Sequence, residues 1–411
     1  MVLKERYILY LYFLLWFLYE LQGVFWTAGN SLSLVIILSL TAISLFYAVK
    51  VNLEGGRRLQ FINALNLLLI MFTLYGIVYI IEGPRATLGV TQSKPYNYLK
   101  AIYNSLLPIY TFYYFSRKKI LNHSLLTRIG PLFFVMVVVS YWHFEEVRSG
   151  MQMRDGAPVD VVNYECYAFL SLFTVLTVYH KRAWIQYLGI VFVMTFIFMG
   201  MKRGAIFVGI LCTVWYSYEL LKSSKGYKRV LVILLSTFAL LFLSYLVLHL
   251  LETNDFFHKR FQSTVEGNTS GRDILFYRFF YYYIYDTDAF QFLFGSGANA
   301  TLSVSYNYAH NDWLELAVNQ GVLGLFLYLY FWYTFFRSWN SMDRNHYTHF
   351  TFGLLIMISF LKTFFSRTYG DMDVYSTCML GYCLGTIQPK NAFSSDFSSE
   401  EETCVAQNRV E

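Results

Sequence analysis

The sequence is built from apolar runs of about 20 residues joined by short polar links, and a helix needs about that length to cross the hydrocarbon core of a bilayer. Hydrophobic residues make up 56% of the chain and charged residues only 14%, whereas a soluble domain carries about a quarter charged residues. This balance excludes an ordinary soluble globule. It also excludes a disordered chain, which needs low hydrophobicity and high charge.

The apolar runs predict an all-α, polytopic membrane protein with about twelve transmembrane helices. A backbone exposed to lipid must satisfy its own hydrogen bonds, and these runs are too long and continuous for the strands of a barrel. The predicted spans lie near residues 7–26, 31–49, 59–81, 99–115, 129–144, 162–179, 184–200, 205–220, 230–251, 321–338, 349–366 and 372–388.

Basic residues predict how these spans are oriented. Clusters of Lys and Arg fall on one side of the membrane if the N-terminus is cytoplasmic, and both termini are then cytoplasmic. The net charge of +6 is explained by basic loops that lie beside anionic lipid headgroups, so nucleic acid is not an expected partner. The clusters lie around Lys50, Lys118, Arg182, Lys225 and Arg337.

The same pattern divides the chain into four parts. Residues 1–251 are expected to form an N-terminal bundle of about nine helices, and residues 252–320 a large extracytoplasmic loop that contains short helices. Residues 321–388 supply the C-terminal transmembrane helices, and residues 389–411 form a disordered cytoplasmic tail. The cysteines include no CxxC pair, so neither a disulfide framework nor a metal site is expected.

The extracytoplasmic loop carries most of the chemically active side chains. Thr269 and Ser270 are candidate caps for a helix that begins near Arg272. The stretch 274–290 is almost wholly apolar and aromatic. It is therefore expected to lie at the membrane interface as an amphipathic helix.

The end of the loop predicts a second helix. It is expected to begin near Asn311 and to run toward Gln320, because Asn is a preferred N-cap. Gly321 follows and is expected to loosen the junction with the next span, since glycine adopts backbone conformations closed to other residues.

One basic pair departs from the charge rule. Lys202 and Arg203 lie at the extracytoplasmic end of a span, where few cations are expected. Ionisable residues kept at the edge of a membrane span are commonly functional. The pair is therefore a candidate functional site, and the alternative is that Arg203 anchors the span as a snorkelling residue.

The order of these motifs resembles that of the O-antigen ligase and polymerase superfamily, over roughly residues 200–330. The most specific part is His-Asn-x-x-Leu-Glu followed by Gly-x-Leu-Gly-Leu at the start of a span. The motifs are Lys202-Arg203-Gly204, Ser270-Gly271-Arg272, Gly295-Ser296-Gly297, His310-Asn311-Asp312-Trp313-Leu314-Glu315 and Gln320-Gly321-Val322-Leu323-Gly324-Leu325.

The resemblance implies a GT-C-like helical fold in the inner (plasma) membrane of a bacterium. The implied donor is a glycan on polyprenyl (undecaprenyl) pyrophosphate, which is transferred on the outer face without a metal or another cofactor. Arg203 and Arg272 match the arginines that engage the pyrophosphate in this family, and His310 matches its loop histidine at the reaction centre. Lys202 stands where small polar residues such as Ser are commoner in the family.

The implied roles agree with the chemistry of the side chains. Arginine binds phosphate oxygens with a planar fork and keeps its proton, so Arg203 and Arg272 suit a departing pyrophosphate. His310 is either the base that takes the proton of the attacking sugar hydroxyl or a donor to the pyrophosphate. Arg260 and Lys259 are expected to bind either phosphate or lipid headgroups.

Four other polar residues are further candidates. Asn311 and Glu315 are expected to cap or support the site rather than to react. Glu20 and Glu165 lie within or near apolar runs, which usually marks a functional or paired position. Each is either a salt-bridge partner or part of an acceptor groove.

The predicted function is that of a polysaccharide polymerase, which moves a growing chain from its polyprenyl pyrophosphate onto the sugar of another lipid-linked repeat unit. Ligation of a finished polysaccharide to lipid A core uses the same donor and stays an alternative. A transporter or flippase for lipid-linked glycans is the alternative from another class, since it also needs outer cations and many spans. Membrane lipids and a chain-length regulator are the other expected partners.

Overall fold

An α-helix lies in each of the predicted apolar runs, which confirms that the chain is helical. The tail 389–411 and the candidate caps Thr269 and Ser270 lie outside the described residues. The structure is a computed structural model, and it describes residues 2–22, 24, 30–54, 59–83, 85–86, 92–152, 162–267, 271–344 and 346–387.

Nine α-helices lie before residue 254 in the described part of the chain. A 3-10 turn, Thr177–Tyr179, extends the sixth helix, and two short strands pair antiparallel between the third and fourth. The strands are β1 (Arg85–Ala86) and β2 (Gln92–Ser93), and the helices are α1 (Val2–Glu20), α2 (Ser31–Leu53), α3 (Gln60–Glu82), α4 (Pro95–Arg117), α5 (His123–Gln152), α6 (Cys166–Leu176), α7 (Ala183–Met199), α8 (Arg203–Ser223) and α9 (Tyr227–Thr253).

Short helices occupy the described residues of the large loop, and longer helices follow it. A π-helical turn, Tyr282–Asp286, continues the second of the short helices. The helices are α10 (Asp255–Val265), α11 (Arg272–Tyr281), α12 (Ala289–Phe294), α13 (Thr301–Ser305), α14 (Asp312–Asn340), α15 (Tyr347–Lys362) and α16 (Val374–Thr386).

Six of the described helices are long and apolar enough to cross a membrane: α2, α3, α5, α8, α9 and α14. Helices α6, α7 and α15 are also apolar but shorter. On α9, Leu234, Phe238 and Leu241 are 62%, 63% and 65% exposed, and such an apolar surface is typical of a helix that faces lipid. The chain is a helical multi-pass membrane protein, and the total of about twelve crossings stays a prediction.

The stretch 274–290 is not a single helix, and the sequence prediction was wrong on this point. After the π-helical turn, Asp288 starts α12 through a capping box, in which its carboxylate accepts the backbone N–H of Gln291 at 2.7 Å. An N-cap aspartate stabilises the start of a new helix rather than the continuation of an old one. The side chains of Ile274 and Tyr285 remain exposed, as an interfacial segment requires.

The second helix of the loop begins and bends as the sequence predicts. Asn311 is the N-cap of α14, and its side chain accepts the backbone N–H of Leu314 at 3.1 Å. Gly321 interrupts the helix with φ 66° and ψ −159°. Helix α14 therefore consists of a short arm before Gly321 and a longer limb after it.

The Gly-Ser-Gly motif fixes this bend. The backbone N–H of Ser296 donates to the carbonyl of Val318 at 2.9 Å, and that of Gly297 donates to the carbonyl of Asn319 at 3.0 Å. A bend deprives the preceding carbonyls of helical partners, so these two bonds replace what the helix lacks. A Cβ on Gly295 would lie 2.3 Å from the Asn319 carbonyl. Only glycine fits there.

The link between α15 and α16, residues 363–373, packs against the start of α14. Asp312 is fully buried, and its carboxylate accepts the backbone N–H of Thr368 at 2.7 Å and the hydroxyl of Tyr328 at 2.5 Å. The backbone N–H of Asp312 donates to the carbonyl of Thr363 at 2.8 Å. These bonds hold the link beside the start of α14, which the loop histidine His310 precedes.

Candidate functional site

Cations gather where α8 and α11 begin and where the chain enters α14. We define the cationic cluster as Lys202, Arg203, Arg272 and Arg367 around His310. The charge of Arg272 acts on Lys202, Arg203 and His310, and the charge of Arg367 acts on His310. The structure thus brings the three predicted catalytic residues together with Lys202 and with an arginine that the sequence did not single out.

Lys202 is the buried member of the cluster and directly precedes α8. Its Nζ lies 3.9 Å from the ring centroid of Tyr164 and 5.7 Å from that of Tyr167. Burial, and then repulsion from Arg272, lower the pKa of Lys202 to about 8. An anion at this position would stabilise the ammonium group, because an opposite charge favours the charged form.

Arg203 and Arg260 connect the cluster to α10. Nη1 of Arg203 donates to Oγ1 of Thr264 at 3.1 Å. The Arg260 guanidinium lies 5.5 Å from the ring centroid of Phe256, and its charge acts on Lys202. Lys259, on the same helix, is exposed, and its ammonium group bonds to no other described residue. Of the two secondary candidates, Arg260 is therefore the one beside the cluster.

Two arginines of the cluster have uncommitted guanidinium groups. Arg272 and Arg367 are half-buried, and neither guanidinium group makes a hydrogen bond or an ion pair with a described residue. Arg272 is the first residue of α11, which follows Gly271 in a left-handed conformation. A half-buried arginine with five free donors is well suited to bind an anion with oxygen acceptors.

Arg367 was missed by the sequence analysis. Its Cζ lies 4.7 Å from the ring centroid of Tyr308 and 6.0 Å from that of Tyr369. Burial opposes its charge, but Tyr369 and Glu315 outweigh this effect and raise the pKa of Arg367 above its ordinary value. The signal was available, because Arg367 lies between the last two predicted spans, on the side where the charge rule disfavours cations.

His310 lies at the centre of these charges, with its backbone at a φ of 52°. The pKa of His310 is lowered to about 4, mainly by burial and then by repulsion from Arg272, Lys202 and Arg367. The imidazole is therefore neutral at neutral pH and is a weak base. A neutral imidazole can still donate one hydrogen bond.

Glu315 holds the loop that carries His310. Its carboxylate is fully buried and accepts the backbone N–H of Ala309 at 2.8 Å, the hydroxyl of Thr301 at 2.8 Å and the side-chain amide of Asn319 at 3.3 Å. All three acceptor bonds are internal to the protein. The geometry therefore favours the supporting role for Glu315, as it does for the N-cap Asn311.

Glu315→Gln should destabilise this loop. An amide has one acceptor oxygen instead of two, so either the Ala309 N–H or the Thr301 hydroxyl loses its partner in a buried place. The expected cost is about 1–3 kcal/mol. Thermal unfolding in detergent measures it, with the exposed Glu252→Gln as the matched control. Equal midpoints for the two variants would contradict the assigned role.

Glu20 and Glu165 line one cavity of about 480 Å³. Asp371, Asp373 and Lys362 line it too, and we call it the acidic cavity. The acidic cavity adjoins the cationic cluster, because Tyr164 and Tyr167 line the cavity and their rings also lie next to the Nζ of Lys202. The two glutamates that the sequence left without a partner therefore belong to the same site.

The described residues hold no group of three or more His, Cys, Asp and Glu side chains that could bind a metal ion. Metal-independent chemistry stays a prediction. The cysteines in the described ranges are buried free thiols, Cys166, Cys212, Cys378 and Cys383.

No protein-family model and no curated protein matches this chain. The resemblance to the O-antigen ligase and polymerase superfamily therefore depends on the sequence motifs alone.

Proposed function

We propose that the protein is a polysaccharide polymerase of a bacterial plasma membrane, with about twelve spans, a GT-C-like arrangement and cytoplasmic termini. It joins repeat units by transferring a glycan from polyprenyl pyrophosphate to a sugar hydroxyl on the outer face. The observation that carries the proposal is the convergence of Arg272 and Arg367 on the loop histidine of the resemblance, since no described residue binds either guanidinium group.

The cationic cluster supplies what this reaction needs most. Pyrophosphate leaves with the electron pair of the broken C–O bond, and its growing negative charge must be stabilised. Arginine forks bind such oxygens in pairs. Each well-placed donor in a poorly solvated site lowers a barrier by about 3 kcal/mol.

The charges around His310 favour a role as donor rather than base. A base with a pKa of about 4 accepts a proton weakly, and the surrounding cations oppose its protonation. A pyrophosphate bound among these cations would counter their repulsion, and the imidazole could then donate to a phosphate oxygen. Of the two roles considered from the sequence, the donor is the one that we propose.

Polysaccharide length in cells distinguishes the polymerase from its alternatives. With Arg272→Ala or His310→Ala in place of the wild-type protein, we expect single repeats attached to lipid A core, as in a deletion strain. Loss of a ligase should instead leave the core without any repeat. Gel electrophoresis of the polysaccharide measures this, and Arg278→Ala, an exposed arginine of α11, is the control. Wild-type length in both variants would remove these residues from the mechanism.

A further inference from the structure

The acidic cavity differs from the cationic cluster in charge, shape and lining. Its volume of about 480 Å³ lies within the range of small-molecule sites. Aromatic rings of Trp16, Tyr19 and Tyr164 form part of its wall, and Asn97 and Asn104 add neutral amides. A polyhydroxyl ligand with apolar C–H faces matches this mixture, because it offers hydroxyls to polar groups and flat faces to rings.

Two carboxylates of the cavity are uncommitted. The carboxylates of Glu20 and Glu165 make no hydrogen bond or ion pair with a described residue. By contrast, Asp373 accepts the Ser171 hydroxyl at 2.5 Å, and Asp371 lies 3.7 Å from the Nζ of Lys362. Glu20 and Glu165 are therefore the acceptors available to a ligand.

Two buried hydroxyls point to the same conclusion. Tyr375 and Tyr167 line the cavity, are 2% and 6% exposed, and have hydroxyls without a hydrogen-bond partner in the described part of the chain. An unsatisfied buried hydroxyl is unfavourable, and a polar ligand in the cavity would supply the partner that it lacks. The carboxylates do not converge as metal ligands within the described residues, so an organic ligand fits better than a cation.

We propose that the acidic cavity binds the acceptor sugar and that the Glu165 carboxylate takes the proton of its attacking hydroxyl. This inference depends on the proposed function. The acceptor O–H bond breaks as its oxygen bonds to the anomeric carbon of the donor. The proton passes to Glu165, and the electron pair of the C–O bond leaves with the pyrophosphate at the cationic cluster.

The position of Glu165 suits this role. Glu165 directly precedes α6 and follows Tyr164, whose ring lies next to the Nζ of Lys202. It therefore lies where the cavity meets the cluster. The carboxylates of Asp371 and Asp373 line the same cavity. The other charged groups lining the cavity are Glu20, Lys100 and Lys362.

The test uses the purified full chain with lipid-linked repeats, and kcat is measured against pH. Wild-type kcat should rise with pH as the carboxylate base loses its proton. Glu165→Gln should lose that rise and about a hundredfold of kcat, with unchanged binding of undecaprenyl pyrophosphate. Glu252→Gln should behave as wild type. A kcat for Glu165→Gln within threefold of wild type would overturn the proposal.

A second variant tests the cavity itself. Ala101→Trp places a large ring in the cavity and should weaken binding of the free repeat-unit oligosaccharide, released from its lipid by mild acid, at least tenfold. Unchanged binding would overturn the proposal. If the wild type binds this oligosaccharide but elongates nothing, the proposed function fails, and Ala101→Trp still decides whether the cavity is a sugar site.

Discussion

Arg367→Ala is expected to slow glycan transfer by about a hundredfold to a thousandfold, the usual effect of removing one preorganised donor from a charge-stabilising site. Arg367 makes no hydrogen bond or ion pair with a described residue, so little internal bonding is lost with it. Its ring contacts with Tyr308 and Tyr369 are lost. The loss should therefore appear in kcat more than in stability.

The pKa of His310 gives an independent measure of the effect of Arg367→Ala. Arg367 is one of the three cations that lower the pKa of His310. Removing it stabilises the imidazolium, so the pKa of His310 should rise above about 4 in Arg367→Ala. NMR of labelled histidine measures this shift.

Two further variants control for charge and position. Arg367→Lys keeps the charge without the fork and should recover only part of the rate. Arg278→Ala removes an exposed arginine of the same loop and should leave both kcat and the His310 titration unchanged. Near wild-type kcat in Arg367→Ala would contradict the role assigned to this arginine.

Gly321→Ala is expected to destabilise the protein by about 3 kcal/mol or more. The φ of 66° and ψ of −159° belong to a region that only glycine adopts without strain, which costs about 1–3 kcal/mol. A Cβ there would also lie 2.5 Å from the backbone N of Gly295 and 2.6 Å from the carbonyl of Leu293. Both neighbours are backbone atoms, so the contact is relieved only if α12 and α14 move apart.

A second glycine separates strain from contact. Gly267 also has a positive φ, but a Cβ there meets nothing within 4 Å. Gly267→Ala should therefore cost about 1 kcal/mol, clearly less than Gly321→Ala. Thermal unfolding in detergent compares the two. Similar unfolding midpoints for the two variants would show that the close contact between the Gly-Ser-Gly motif and the bend of α14 does not contribute to stability.

Features that depend on neighbouring residues were predictable from the sequence. Apolar runs of sufficient length gave the helices, and Asn311 and Gly321 gave the start and the bend of α14. A local signal was also overlooked, because Asp288 followed by Gln291 is a capping box that splits the stretch 274–290.

Features that depend on packing were not predictable. Glu20 and Asp373 come from opposite ends of the chain and line one cavity. Arg367 reaches His310 only because Asp312 binds the link at Thr368. No spacing in the sequence encodes these distances.

Chain growth by the purified protein tests the central claim most directly. The protein is placed in liposomes without an ion gradient and supplied with polyprenyl-pyrophosphate-linked repeats. If the cationic cluster binds the departing diphosphate, the wild type should produce longer glycans, and Arg272→Ala should produce almost no longer glycans. Passage of the lipid-linked repeats across the bilayer without any lengthening would contradict it and identify a carrier.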